Sequence, residues 1–235
     1  MGINEINDKI INLWEEQFNE QEEKSPVLFP DDRGRDILFI GCNPSTGEKT
    51  YFDHEEHKLL RSWKYAKSKK DCRDRLVAIE QKSRTISKFF KKFIKIKEEF
   101  SLLGLREISW GHIDLFFYRD TSQDHFKKFI MGDSKKGILN EFGEKQLSIA
   151  VDLINYISPK LIVVANSFAS DMLSKKLNIS DSQFNEDTGY HIITINGKDT
   201  IIFFSSMLTG RRALDNRSFE RLKWHIRQAL RVGDK

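Results

Sequence analysis

Two uninterrupted apolar runs constrain the fold of this chain more than any other feature of its sequence. They lie within residues 36–40 (DILFI) and residues 160–167 (KLIVVANS), and the second run is rich in β-branched side chains. Strands without alternating polar residues are buried on both faces, which is typical of parallel sheets covered by helices. The two runs therefore predict the interior strands of an α/β structure.

Other segments complete a pattern in which strands alternate with helices. Residues 109–120 predict a second strand, and residues 190–206 predict two strands joined at Asn196-Gly197, a dipeptide typical of tight hairpins. Apolar spacing predicts helices at 3–22, at 54–100 with a turn near 68–72, at 141–157, at 168–177, and from Asp215 or Asn216 onward. The resulting order β-α-β-α-β-α-β-β-α predicts an α/β fold with a mostly parallel sheet covered by helices on both faces.

Length and composition predict one domain over residues 1–235, with an N-terminal helix at about 3–22 and a basic helical insertion at about 54–100. A chain with 39% hydrophobic residues and 18 Phe can bury a substantial core. Two cysteines exclude a disulfide framework and a four-cysteine metal site, and no apolar run approaches the ~20 residues needed to cross a bilayer. We expect a cytoplasmic monomer with no membrane association, no metal and no cofactor.

Basic residues concentrate in one part of the chain. Residues 58–97 contain 15 Lys or Arg and three acidic residues, a net charge of +12, whereas the whole chain carries +4, so the remainder carries −8. Such a segment suggests a polyanionic partner such as DNA, single- or double-stranded. The alternative is a solvated helical surface with no ligand.

Ligands of parallel sheets bind beyond the carboxyl ends of the strands. Polar segments follow each predicted strand at this end: GCNPSTGE (41–48), YRDTSQ (118–123), NSFAS (166–170) and SSMLTGRR (205–212). We expect the four segments to gather at one crevice.

Two of these segments carry motifs of a known superfamily. Gly41-Cys42-Asn43-Pro44 has the form G-x-[DN]-P, and the segment 204–209 fits [HN]-P-S-x-L-S at its third, fifth and sixth positions. On these motifs and the strand order, residues 36–230 resemble the uracil-DNA glycosylase superfamily, most of all its branch of mismatch-specific uracil/thymine glycosylases, which has Asn in the first motif. GCNPST and IDLFFYRD are also similar to an uncharacterised group of proteins with L-N-P-S-T and N-L-F motifs.

The resemblance implies a three-layer α/β/α fold around a central, mostly parallel four-stranded sheet. It also implies a DNA repair enzyme that flips a damaged or mismatched base out of DNA and hydrolyses its N-glycosidic bond. Asn43 would be the catalytic residue that positions water, and Leu208 would be the wedge that fills the gap in the stack. The residues expected to bind the base are Gly41, Cys42, Pro44, Ser45, Phe52, Asp114 and Phe204, with Tyr51 second to Phe52 for stacking and Tyr118, Arg119 and Asp120 as further candidates for reading the base edge. The residues expected to contact DNA are Ser205, Ser206, Leu208, Thr209, Arg211 and Arg212.

Phe204 departs from the superfamily pattern, which has His or Asn at this position and Pro where this chain has Ser205. A donor that stabilises the departing base contributes about 3–4 kcal/mol, and Phe cannot donate. Three alternatives follow: His112 or His191 compensates, or cleavage is slow, or the protein binds without cutting. Beside the glycosylase we therefore keep two functions open, a catalytically silent nucleic-acid or base-binding protein of the same fold and a small-molecule nucleoside or nucleotide hydrolase.

Overall fold

The structure is a computed structural model that describes residues 1–19, 21–45, 51–102, 107–210 and 213–232, without the side chains of Leu102, Asp181 and Val232. The helices in these residues are α1 (Ile3–Phe18), α2 (His54–Arg61), α3 (Trp63–Lys67), α4 (Cys72–Ile86), α5 (Lys91–Leu102), α6 (Gln123–Ile130), α7 (Glu141–Ile157), α8 (Ser167–Lys176) and α9 (Asn216–Val232), with short 3-10 helices at Lys88–Phe90 and Asp181–Gln183. The strands are β1 (Ile37–Gly41), β2 (Trp110–Asp114), β3 (Met131–Asp133), β4 (Ile138–Leu139), β5 (Leu161–Ala165), β6 (Phe184–Asn185), β7 (Tyr190–Ile195) and β8 (Lys198–Ser205).

A mixed six-stranded sheet has the order β2-β1-β5-β8-β7-β6. β5 runs parallel to β1 on one side and to β8 on the other, and every residue of β1 and β5 is buried. The predicted α/β class with a parallel core is confirmed. The predicted number of four strands is wrong, because β7 and β6 extend the sheet beyond β8 by antiparallel pairing.

The hairpin that joins β7 to β8 turns at the predicted dipeptide. Asn196 and Gly197 have φ angles of 51° and 74°, the left-handed values that a two-residue type I′ turn requires. Ile195 therefore lies opposite Lys198 across the turn. The hairpin fixes the register in which His191 lies opposite Ile202.

The chain divides into two compact units, each made of three segments. The helical unit comprises Met1–Asp31, Asn43–Ser87 and Asp114–Tyr156, and the sheet unit comprises Asp32–Cys42, Lys88–Ile113 and Ile157–Lys235. The sheet unit contains nearly all of the six-stranded sheet, whereas the helical unit contains α1 to α4, α6, most of α7 and the β3–β4 hairpin. The single domain expected over residues 1–235 stays a prediction.

The core of the sheet unit joins the sheet to α5 and α9. Its buried cluster contains Ile37 and Phe39 of β1, Phe93 of α5 and Ile226 of α9. Phe90, Phe93 and Phe100 lie in this cluster, but Ile86 and Phe89 are 39% and 40% exposed. Ser87 adopts an extended conformation and ends α4, so the residues on either side of it do not continue one helical face.

The helical unit holds the segment that follows β2 in a fixed conformation. Gln146, fully buried on α7, accepts hydrogen bonds at Oε1 from the backbone N–H of Phe117 (2.7 Å) and of Tyr118 (3.1 Å). The Tyr118 ring stacks on Phe129 of α6 with centroids 4.3 Å apart. Buried backbone donors need such partners. The hydrogen bonds to Gln146 and the stacking on Phe129 hold the segment 117–120 in position just before the start of α6.

The helices differ from those expected in three ways. α1 ends at Phe18 rather than near residue 22, and the segment 54–100 forms α2 to α5 and a 3-10 helix, divided between the two units. α6 was not predicted at all. Among the described residues, no helix combines the length and apolar character needed to cross a membrane.

Candidate functional site

The first motif leads from the sheet unit into the helical unit. Gly41 and Cys42 are buried at the carboxyl end of β1. The Asn43 side chain donates through Nδ2 to the backbone oxygen of Asp120 (2.8 Å) and, at 3.3 Å, to that of Pro44. The Asp120 N–H donates in return to the Pro44 oxygen at 2.9 Å. These three residues form a closed set of hydrogen bonds, hereafter the loop bracket, which ties the first motif to the segment after β2.

What Asn43 can do in a reaction depends on which of its side-chain atoms already form hydrogen bonds within the protein. Both of these hydrogen bonds use the amide nitrogen, so a water molecule could be held only by the side-chain oxygen. An amide oxygen accepts a hydrogen bond from water and orients it, but it does not remove a proton at physiological pH. A hydrolytic site built on Asn43 therefore needs a separate proton acceptor.

Asp120 places a carboxylate beside the loop bracket. The residue is 8% exposed; its Oδ1 accepts the Ser122 N–H at 2.8 Å, and its Oδ2 pairs with Nδ1 of His125. Burial acts to raise the pKa of Asp120, but the hydrogen bonds from His125 and Ser122 and the positive charge of Lys24 outweigh it, so the pKa lies below its ordinary value. The Lys24 Nζ is 4.0 Å from Oδ2. Asp120 is thus an ionised, buried carboxylate at neutral pH.

His125 was missed in the sequence, although a signal for its position existed. Ser122 caps α6, since its Oγ accepts the His125 N–H at 3.2 Å. A Ser that starts a helix places the residue three positions later in the first turn, beside the cap. The imidazole thereby reaches back to Asp120, and its side chain is 64% exposed.

Asp114, expected to read the base edge, lies in a buried cluster of ionisable side chains with Glu80, Arg84 and Arg119, all 5–9% exposed. Burial raises the pKa of Asp114 well above its ordinary value, the charge of Glu80 adds to this, and Arg119 and Arg84 oppose it. Desolvation disfavours the charged form of a carboxyl group. A protonated Asp114 can donate a hydrogen bond to a carbonyl oxygen.

Arg119 connects this cluster to the first motif. Its Nε donates to the Ser25 oxygen at 3.1 Å and its Nη1 to the Ser45 oxygen at 3.3 Å. Burial lowers the pKa of Arg119, while Glu80 and Asp114 act to raise it. Ser45 itself is exposed. The guanidinium therefore holds the backbone beyond Pro44 from within the helical unit.

Phe52, the expected stacking residue, is half-buried. Its ring centroid lies 5.9 Å from that of His57 on α2 and 5.8 Å from Nζ of Lys82 on α4. Tyr51 is also half-buried. The Phe52 side chain therefore contacts both helices and keeps part of its surface exposed.

The second motif lies in the sheet unit, at the carboxyl end of β8. Phe204 pairs with Val164 of β5, and its ring centroid lies 5.4 Å from that of His191 on β7. His191 lies opposite Ile202, and side chains two positions apart share a sheet face. His191 is therefore the neighbour of Phe204 on that face. His112 is 3% exposed and lies against the rings of three Phe side chains, Phe89, Phe90 and Phe93.

The other residues of the second motif differ in exposure. Ser205 ends β8 opposite Ala165, Ser206 is exposed and Thr209 is half-buried. Leu208 is 1% exposed and belongs to the core of the sheet unit, so action as a wedge would require it to leave that core. Arg211 and Arg212 lie outside the described residues.

Many basic residues of the segment 58–97 are paired within the protein. Lys67 pairs with Glu15 at 3.1 Å, Lys82 with Glu56 at 2.7 Å, and Arg73 with Asp8. The exposed lysines of this segment that have no ion pair among the described residues are Lys58, Lys64, Lys70, Lys88, Lys91 and Lys95. Ion pairs thus neutralise part of the charge of this segment.

A separate open groove of about 510 Å³ runs between α1 and α7 in the helical unit. Ion pairs cross it, among them Lys9 with Asp152 (2.7 Å) and Lys145 with Glu16 (3.1 Å). None of the expected site residues lines it.

The described residues contain no group of three or more His, Cys, Asp or Glu side chains placed to hold a metal ion. A comparison with models of known protein families finds no family that matches the chain. No curated protein matches it either.

Proposed function

We propose that this chain is a base-excising hydrolase of the uracil-DNA glycosylase type, which takes a damaged or mismatched base of DNA into its site and hydrolyses the N-glycosidic bond. The observation that carries the proposal is the loop bracket, in which Asn43 is fixed by two backbone oxygens 2.8 and 3.3 Å from its Nδ2. An amide held in this way presents its oxygen in one orientation, and fixed orientation is what water positioning requires.

The order of the four strands β2-β1-β5-β8 agrees with the three-layer arrangement of the superfamily that the motifs resemble. Asp114 supports base recognition, because burial raises the pKa of its carboxyl group well above the ordinary value and so favours the protonated form, which can donate to a base carbonyl. His191 stays the proposed substitute for the donor that Phe204 lacks, since the two rings are neighbours within the sheet unit.

The test uses end-labelled single- and double-stranded oligonucleotides that carry uracil, hypoxanthine or a T·G mismatch, treated with alkali to reveal abasic sites. We expect cleavage by the wild-type chain, and a loss of about 100-fold in Asn43→Ala, the order of magnitude for a group that positions a reactant. Asn12→Ala is the matched control, since Asn12 is exposed on α1. Absence of abasic sites on every substrate, at enzyme excess and long times, would refute the proposal.

A second candidate is a protein of the same fold that binds nucleic acid or a base without cleaving it. The burial of Leu208 favours it, because a wedge that is 1% exposed cannot replace a flipped base in this conformation. This candidate predicts oligonucleotide binding that weakens steeply with added salt and yields no abasic sites. Hydrolysis of free nucleosides or nucleotides, with no salt-dependent binding of oligonucleotides, would instead favour a small-molecule hydrolase.

A further inference from the structure

Asp120 and His125 form a carboxylate–imidazole pair that the motif comparison does not use. Oδ2 of Asp120 pairs with Nδ1 of His125, while Oδ1 accepts the Ser122 N–H at 2.8 Å. The carboxylate is buried and the imidazole side chain is 64% exposed. One ring nitrogen is therefore held from the protein side. The other, Nε2, makes no hydrogen bond within the described residues.

This pair differs from an ordinary surface ion pair in how firmly its acid is placed. The Asp120 backbone is fixed by the loop bracket, with its N–H on the Pro44 oxygen (2.9 Å) and its carbonyl on Nδ2 of Asn43 (2.8 Å). Lys24 adds a positive charge 4.0 Å from Oδ2. The backbone N–H of His125 donates to the Ser122 cap. The carboxylate and the backbone that carries the imidazole are therefore each held by hydrogen bonds.

We propose that His125 is the general base of this site and that Asp120 positions it. A carboxylate on Nδ1 keeps the proton there, so the lone pair of the neutral ring is on Nε2. This inference rests on the proposed function, which defines the reaction. His125 would be the proton acceptor that the reaction needs, since Asn43 cannot accept a proton. Both residues bond to Asp120: Asn43 to its backbone oxygen and His125 to its carboxylate.

The step is a hydrolysis in which every atom is accounted for. Water held by the Asn43 oxygen gives one proton to Nε2 of His125, and its oxygen forms a bond to C1′ of the sugar. The C1′–N bond breaks, and its electron pair leaves with the base. The base then takes up one proton, and His125 returns to its neutral form by releasing one. No oxidant, metal or second substrate takes part.

The first experiment compares the single-turnover rates of His125→Gln and of the wild-type chain on a cleavable oligonucleotide. Gln retains a polar side chain but cannot accept the proton, so we expect the rate to fall by about 100-fold to 10,000-fold, the range for general-base catalysis, with the KM changed less than about threefold. Because His125 is exposed, the substitution removes little packing. His54→Gln is the matched control, since His54 is an exposed histidine in the first turn of α2.

The second experiment reads the tautomer of His125 directly, without any substrate. Long-range proton–nitrogen NMR spectra of ¹⁵N-labelled protein at pH 8, assigned by comparison with His125→Gln, should show His125 protonated on Nδ1. In Asp120→Asn the preference for the Nδ1–H form should be lost, because a neutral amide attracts the Nδ1 proton less strongly than a carboxylate does. Asn keeps an oxygen for the Ser122 N–H, so the loop conformation is preserved.

The two experiments separate the failure of this inference from the failure of the proposed function. Cleavage by the wild-type chain that persists within about threefold in His125→Gln would overturn the inference and leave the glycosylase intact. If the wild-type chain cleaves nothing, the proposed function fails and the spectra decide the pair. An Nδ1–H form that depends on Asp120 would then support the positioning of His125 by Asp120, and any other tautomer would overturn it.

Discussion

Replacing Asn43 by Asp distinguishes the two roles this residue can have. The superfamily motif accepts either residue, and a carboxylate is the stronger catalyst because it can accept a proton from water. In this structure, however, Nδ2 of Asn43 is a donor to two backbone oxygens, at 2.8 Å from Asp120 and 3.3 Å from Pro44. Asn43→Asp turns that donor into an acceptor that faces acceptors. The structure therefore predicts a loss where the motif alone predicts a gain.

The size of the loss follows from these contacts. Two hydrogen bonds contribute about 0.5–1.5 kcal/mol each, so Asn43→Ala should cost about 1–3 kcal/mol of unfolding free energy. Asn43→Asp should cost about 2–4 kcal/mol at pH 7, because a carboxylate then faces a carbonyl oxygen in a half-buried site. The introduced carboxyl group has a raised pKa in the folded state, so stability is present below the unfolded pKa near 4 and is lost as the pH rises. The deficit of Asn43→Asp should therefore shrink at pH 4.

The assay is urea unfolding of the wild-type chain and both variants at pH 4 and pH 7, together with hydrogen exchange of the Asp120 amide. That amide donates to the Pro44 oxygen at 2.9 Å, so its exchange should accelerate in both variants. Lys9→Ala, on the surface of α1, is a control for a charge change away from the loop bracket. Asn43→Asp that is as stable as the wild-type chain at pH 7, with faster base release, would refute the reasoning.

Three further predictions concern residues near or within the two motifs or the basic segment. Leu208→Ala should destabilise the fold by about 2–5 kcal/mol, as for other buried Leu truncations, when followed by urea unfolding; weaker DNA binding with unchanged stability would indicate a wedge instead. Asp114→Asn should gain stability relative to the wild-type chain as the pH rises from 5 to 7, by up to about 1.4 kcal/mol per pH unit. The reason is that the raised pKa of Asp114 makes the native wild-type chain hold a proton that the unfolded chain has released. A stability difference between the two chains that stays constant from pH 5 to pH 7 would contradict this prediction. Burial raises the pKa of Cys72 to about 11, and the charges of Asp71 and Glu15 add to this. Alkylation of Cys72 by iodoacetamide at pH 8, followed by peptide mass mapping, should therefore be about 100-fold slower in the folded chain than in the urea-unfolded chain. Equal rates would rule out the pKa shift.

The interior strands could be predicted from the sequence because their signals are local. β1 and β5 are continuous apolar runs, and the β7–β8 turn is set by Asn196 and Gly197, which adopt the left-handed conformations that this pair favours. β6 was missed, because a two-residue strand leaves no periodic pattern to count. The sheet has six strands instead of the four expected, because β7 and β6 both join it beyond β8.

The candidate site was only partly predictable, since its polar groups come from distant parts of the chain. Asn43 followed from the motif, but its bond to Asp120, 77 residues away, depends on how the segment after β2 is held by Gln146. Burial raises the pKa of Asp114 and the charge of Glu80 adds to this, but no pattern in the sequence indicates that Glu80 is buried. Only the Asp120–His125 pair had a local signal, the cap at Ser122 three residues before the histidine.

The most direct test of the account measures the two products of base excision in one reaction. Enzyme in excess is incubated with a uracil-containing single strand, without alkali, and the free base is quantified by chromatography while the intact strand is weighed by mass spectrometry. The account predicts equimolar free base and abasic strand from the wild-type chain, with release about 100-fold slower in Asn43→Ala, consistent with loss of a positioning group. Release of no base by the wild-type chain, or an equal rate in Asn43→Ala, would contradict hydrolytic base excision at the Asn43 loop.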